Sequence, residues 1–212
     1  MRFVMCFAAL VGTATTTEVP PSALNIAGYR PMGRSVASHL ALDLDQEAME
    51  VALGESPTNY ALAKTWYAVG GSSTSRGKFR TLQAFSTSAQ GKMYDSCPGC
   101  PYKHYEMFYN YYGSHTYADD WVLAALDGTT LTYATPASLT FNFGGASNWA
   151  RIEAVKKGTA YMHVWMYAIR EFEDAIDDCV SCTSDCNMHS TNSGSVHAWD
   201  EGVAFYTGSL EG

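Results

Sequence analysis

The longest uninterrupted helical pattern in the chain, Asn148–Asp178, constrains the fold more than any other feature. At ~1.5 Å rise per residue it makes a rod of about 46 Å. Ser147 stands where a capping hydroxyl is favoured. Placing residues at 100° intervals gives an apolar stripe of Ala154, Gly158, Tyr161, Trp165, Ile169, Phe172 and Ile176. Glu153, Lys156, His163, Arg170, Glu171, Asp174 and Asp178 fall on the other side, with Tyr167 among them. A rod of this length cannot bury its stripe alone. It predicts a mainly α fold, a helical bundle with a long central helix, disulfide-bearing loops and a small β hairpin.

Shorter elements fit that plan. Asp43 with Gln46 reads as a cap pair ahead of Glu47–Leu53, closed by Gly54. Ser56-Pro57 opens a second helix through Trp66 and Tyr67 that ends at Gly70-Gly71. Ser72–Gly91 reads as an ordered loop around Phe79, Leu82 and Phe85. Tyr102–Tyr112 and Asp119–Leu126 are helices stopped by Gly113 and Gly128. Thr129–Phe143 alternates apolar and polar residues around Thr135-Pro136, as a hairpin does. In the final segment Val196, Trp199, Val203, Tyr206 and Leu210 form an apolar stripe opposite His197, Asp200, Glu201 and Glu211.

Residues 1–17 have the layout of a secretory signal peptide: Arg2, an apolar run of about ten residues, then small residues. That run is far short of the ~20 needed to cross a bilayer as a helix, so no transmembrane segment is expected. Residues 18–42 read as an extended linker and 43–212 as the helical domain. Lys and Arg number 13 against 21 acids, a net charge of −8 without a basic run, which argues against binding nucleic acid.

Cysteines fit export. Beyond Cys6, Cys97 and Cys100 form one pair, while Cys179, Cys182 and Cys186 form a second group. Both spacings resemble half of a zinc site, but in an exported chain these five are disulfide candidates. Their number is odd, so one thiol is free or its partner lies beyond Gly212. With the strongly patterned last segment, this leads us to expect a C-terminally truncated domain.

The sharpest chemical feature is His197 with Glu201, four apart and therefore stacked on one helix face. Asp200 stands beside them, and Ala204 and Gly208 leave room for a ligand. An imidazole and carboxylates at this spacing can meet one metal ion; equally, they can be the solvent face of an amphipathic helix. A second constellation lies in Tyr102–Tyr112, where Glu106 and Tyr109 would add hard oxygen donors if their helix packs on the last one. His163 reads as an exposed or hydrogen-bonded histidine, and His39 has no patterned neighbours. No GxSxG, HExxH, Walker or Rossmann motif occurs, so no enzyme class is indicated.

Tyr67-Ala-Val-Gly70-Gly71-Ser72, Arg80-Thr81-Leu82-Gln83-Ala84-Phe85-Ser86-Thr87 and the closing Trp199-Asp200-Glu201 through Gly212 resemble algal iron-assimilating proteins. These are secreted or periplasmic proteins induced by low iron or high CO2. The resemblance implies an exported, helix-rich protein that binds iron, Fe2+ or Fe3+, or assists its uptake, and whose domain continues past Gly212. A more distant likeness to imelysin-type helical proteins rests on His197 with Asp200 and Glu201. On this basis His197 and Glu201 are expected as ligands. Asp200 is expected as a ligand or as the acceptor that orients the imidazole, and Glu106 and Tyr109 as further donors. The alternatives are a metal-free secreted module contacting a partner protein or cell-wall glycan, and a metallo-hydrolase with Glu201 as general base.

Overall fold

The computed structural model describes residues 24–32, 34–134, 138–182 and 194–210. It is mainly α-helical, with two small antiparallel hairpins. The long rod is its spine. Helix α7 (Asn148–Lys157) passes through a π-helical segment (Gly158–Val164) directly into α8 (Trp165–Ser181). Ser147 caps it, its Oγ accepting from Ala150 N at 3.2 Å.

A π turn holds more residues than an α turn, so every position downstream slips in phase. The stripe expected from a 3.6-residue period therefore fails past Gly158. Tyr161, Trp165 and Ile176 are exposed, whereas His163 and Glu171, assigned above to the polar side, are buried with Met166, Ala168 and Ala175. Gly158 packs directly against α6 (Tyr117–Asp127). A Cβ there would stand 2.7 Å from Trp121 Cδ1 and 2.9 Å from Val122 Cγ2.

Around the spine, α1 (Ala37–Leu40), α2 (Leu42–Leu53) and α3 (Tyr60–Val69) come first. Helix α2 starts earlier than its expected cap. Asp43 lies in the first turn, and its carboxylate accepts from Ser209 Oγ and Leu210 N, each at 2.7 Å. Helix α3 starts later than Ser56-Pro57, because Asn59 caps it by accepting from Leu62 N at 3.1 Å. Ser72–Gly91 is more ordered than a loop: it contains the hairpin β1 (Thr74–Ser75) and β2 (Lys78–Phe79), then α4 (Ala84–Thr87) and the start of a π turn at Gln90–Tyr94. Helix α5 (Lys103–Tyr112) and α6 both end on left-handed glycines, Gly113 and Gly128. The expected hairpin is β3 (Thr130–Thr132) against β4 (Thr140–Asn142), with Leu131 opposite Phe141.

Among the described residues the core falls into three clusters, the two larger of which lie along the spine. One gathers Met49, Leu53, Tyr67, Leu82, Val122 and Phe205. The other is rich in tyrosine: Tyr102, Tyr105, Tyr117 and Tyr133 with Met93 and Met166. The last helix, α9 (Ser195–Thr207), lies along α8.

The described part of the expected linker is packed, since Ile26, Val36 and Leu40 bury their side chains against Ala204. Cys97 and Cys100 are joined in a disulfide, and Cys182 is also disulfide-bonded. Cys179, counted above among the disulfide candidates, is a free and exposed thiol. Cys186, Glu211 and residues 1–17 lie outside the described residues.

The closeness of α8 to α9 rests on Gly202, where a Cβ would stand 2.6 Å from the Phe172 ring. Gly202→Val should lower the urea-unfolding free energy by about 1–3 kcal/mol through overpacking. A change within a few tenths would show that the two helices separate freely.

Candidate functional site

The polar side of α9 is turned inward. His197 and Asp200 are buried, while Trp199 and Tyr206 of the expected apolar stripe are exposed. The reason is the partner surface: α9 lies against α8, which meets it with aromatic rings, and against the N-terminal segment, which presents Tyr29, Met32 N and His39 to its polar side. His197 Nε2 approaches Glu201 Oε1 at 3.1 Å across one helical turn. His39 Nε2, from α1, approaches the same oxygen at 3.0 Å. The two imidazole rings stand edge to face with centroids 6.4 Å apart, and His39 also meets Phe205 at 5.1 Å.

A carboxylate only accepts, so each imidazole presents Nε2–H to Glu201. Nδ1 of His39 and of His197 is then left buried without a hydrogen-bond partner among the described residues. Burial would raise the Glu201 pKa, but the hydrogen bonds and charges of His197 and His39 outweigh it and hold the carboxyl far below its ordinary value. Burial lowers the His39 pKa against the pull of Glu201, with Arg80 and His197 adding to the lowering.

Three more groups act on this cluster. Arg80 lies 5.5 Å above the Phe205 ring and is anchored by donating to Ser73 Oγ at 2.6 Å and to the carbonyls of Ser38 and Thr74. Its burial lowers its pKa, and the charges of Glu201, Tyr167 and Glu171 oppose that. Glu171 is buried and accepts from Arg170 Nη1 at 2.6 Å. Burial pushes its pKa up to about 8; Arg170 opposes this, while the charges of Glu201 and Asp174 add to it. Tyr167 packs edge-on to Phe85 at 4.8 Å and Phe205 at 5.6 Å. Sequence reasoning missed His39, Arg80, Tyr167 and Glu171. Arg80 carried the one available signal, because it stands inside a stretch that bears the family resemblance.

Asp200 does something else. Its Oδ1 accepts from Tyr29 Oη at 2.5 Å and its Oδ2 from Met32 N at 3.0 Å, so it pins the N-terminal segment to α9. Glu106 and Tyr109 also stand elsewhere. Tyr109 stacks on His115 at 4.1 Å and meets Tyr94 at 4.5 Å, in the tyrosine-rich interior. Helix α5, which carries Glu106 and Tyr109, packs on α8 rather than bringing them to His197. Among the described residues no group of three or more His, Cys, Asp or Glu side chains that could hold a metal ion is found. In the His39–His197–Glu201 cluster the imidazoles close directly onto the carboxylate.

The sequence pattern of the family described as low iron-inducible periplasmic protein matches residues 2–212. The chain belongs to this family, which connects it to the response to low iron and to the periplasm. No curated protein and no solved structure matches it. Among the described residues, no helix is long and apolar enough to cross a membrane.

Two outcomes follow from this geometry. Asp200→Ala leaves Tyr29 Oη and Met32 N without their acceptor, at about 1–3 kcal/mol for each group that stays buried. Limited proteolysis should then cut within residues 24–36 faster than in the wild type; an unchanged rate would mean the segment is held by its apolar contacts alone. Glu171 is raised from its ordinary 4.5 to about 8. Its contribution to stability is therefore complete below pH ~4.5 and lost as the pH rises through about 8. Unfolding titrations at pH 5 and pH 9 should show a smaller loss in Glu171→Gln than in the wild type.

Proposed function

We propose that this protein binds iron outside the plasma membrane as part of iron assimilation, with His39, His197 and Glu201 as the ligands. The observation that carries the reading is the approach of two imidazole nitrogens to one carboxylate oxygen at 3.0 and 3.1 Å. Donors about 2.0–2.2 Å from an ion and at right angles stand about 3 Å apart. A cation can thus replace the two hydrogen bonds with little movement of the side chains. Two imidazoles and one carboxylate leave open coordination positions and suit non-haem iron. Glu171, protonated at neutral pH while the cluster is empty, adds a negative charge when a cation arrives and lowers its pKa. Protons and iron compete for the same nitrogens, so acid releases the ion. That behaviour suits a protein that must hand its cargo on.

Purified, oxidised full chain should take up iron from ferric citrate, or Fe(II) under anaerobic conditions, at pH 7 and lose it on acidification. Glu201→Gln and the His39→Ala/His197→Ala pair should each weaken uptake by roughly 10–100-fold, as measured by equilibrium dialysis and elemental analysis. Equal uptake by the variants would remove these residues from the site.

A second reading, a metal-free interaction module, draws on the exposed aromatic row of Tyr161, Trp165 and Tyr206, with ring centroids 4.7 and 5.2 Å apart. It predicts no stoichiometric iron in the same experiment.

A further inference from the structure

Past the π segment, the apolar stripe of the long rod lies on the outside of the molecule. Along α8, Trp165, Ile169, Phe172, Ile176 and Cys179 follow one another at spacings of four, three, four and three residues. That is the rhythm of a coiled-coil seam, which keeps one narrow face of a helix turned to a partner helix. No charged residue interrupts it. Trp165, Ile176 and Cys179 are exposed, and Ile169 and Phe172 are half-buried. Beside the seam, α9 adds outward residues of its own. Tyr206 meets Trp165 with ring centroids 5.2 Å apart, and Trp199 meets Phe172 at 4.8 Å. Tyr161 extends the row, 4.7 Å from Trp165.

The four aromatic side chains Tyr161, Trp165, Trp199 and Tyr206 are 40–58% exposed, Ile176 is 55% exposed and Val180 79%. With about 150–250 Å² on each free aromatic side chain, the row offers on the order of 500 Å² of apolar surface. Single apolar residues are ordinary on a protein surface, but a contiguous patch of several hundred Å² marks an interface. It supplies most of the ~800 Å² that one partner brings to a stable protein–protein contact.

Cys179 points to the kind of partner. It is free and exposed, whereas Cys97, Cys100 and Cys182 are disulfide-bonded. It stands on the seam itself, one heptad after Phe172 and two after Trp165. An odd thiol left over in an exported chain is a signature of pairing between chains. When two identical helices pack in parallel about a two-fold axis, each seam position meets its own counterpart. A second copy therefore brings a matching thiol to this one.

We propose that α8 and α9 form the interface of a two-fold dimer of this protein, the two α8 helices side by side and parallel, locked by a disulfide between Cys179 of each copy. The apolar seam brings the copies together, and the sulfur bond holds them. That bond needs the two Cα atoms within about 4.4–6.8 Å, which a seam position facing its counterpart across the axis allows. The covalent step is thiol–disulfide exchange with a small-molecule disulfide. The thiolate of one Cys179 attacks it and one small thiol leaves; the Cys179 thiolate of the second copy then opens the mixed disulfide and releases the other. One S–S bond forms between the copies, the small disulfide is reduced, and the two Cys179 protons pass through solvent to the two thiols released. The interface uses none of His39, His197 and Glu201, so it stands independently of the iron reading.

The full chain, prepared in an oxidising compartment, should elute in size-exclusion chromatography with light scattering at twice the chain mass. Peptide mapping without reductant should find Cys179 joined to Cys179. Cys179→Ser should still dimerise but dissociate on dilution, which gives a dissociation constant by sedimentation. Adding Ile176→Lys to Cys179→Ser sets two like charges against each other across the axis and should weaken the dimer about tenfold or more. The circular dichroism spectrum should stay that of the wild type, because Ile176 is already in water in the single chain. Val51→Lys, the same charge at an exposed apolar residue of α2, should leave the dimer unchanged. A wild type that remains monomeric, a dimer indifferent to Ile176→Lys, or Cys179 joined to a different cysteine would overturn the proposal.

Discussion

Glu201 is a partly buried carboxylate in a protein whose net charge is −8, and His39 and His197 both reach its Oε1. The two hydrogen bonds offset the partial loss of water around this carboxylate. This contact also sets the architecture. It draws α1, near the start of the chain, onto α9, near its end, and turns the polar side of α9 inward. Asp200 then holds the segment containing Tyr29 and Met32 across the same helix. The exposed Trp199 and Tyr206 are the consequence, because a helix that commits its polar face to the interior must place apolar groups outside.

The rod meets two sets of buried polar side chains. Beyond the π segment α8 presents Tyr167 and Glu171 towards the first cluster, and within the segment His163 meets Tyr67. A continuous α-helix would not place these residues on the phases they occupy. Gly158, pressed against Trp121 and Val122, stands where the turn widens. Its carbonyl then accepts from His163, so one residue takes part in the packing of α6 and in fixing the histidine's tautomer.

Elements governed by local backbone rules were readable before any fold was known. The Ser147 cap, the left-handed Gly113 and Gly128 ends, and the alternation that pairs Leu131 with Phe141 are of this kind. His197 and Glu201 were legible as a pair for the same reason, since residues four apart on a helix must be neighbours. Their direction was not. A period marks a face without naming what covers it: the face of His197, open in the sequence to either an ion or solvent, lies against α1, and the aromatic helix carrying Glu106 and Tyr109 packs elsewhere. The rod's own stripe misled past Gly158, because a period of 3.6 residues cannot anticipate one wider turn.

The amino-acid order alone determined that this chain forms helices around a long rod, where many of them stop, and which His and Glu share a turn. These depend on interactions within about five residues. Only tertiary structure decided that His39 completes the cluster, that Arg80, Tyr167 and Glu171 surround it, and that Tyr67 meets Asp119 and His163. Those partners come from helices and loops far apart along the chain. No spacing encodes their meeting; it follows from how the buried surfaces of separate helices fit together.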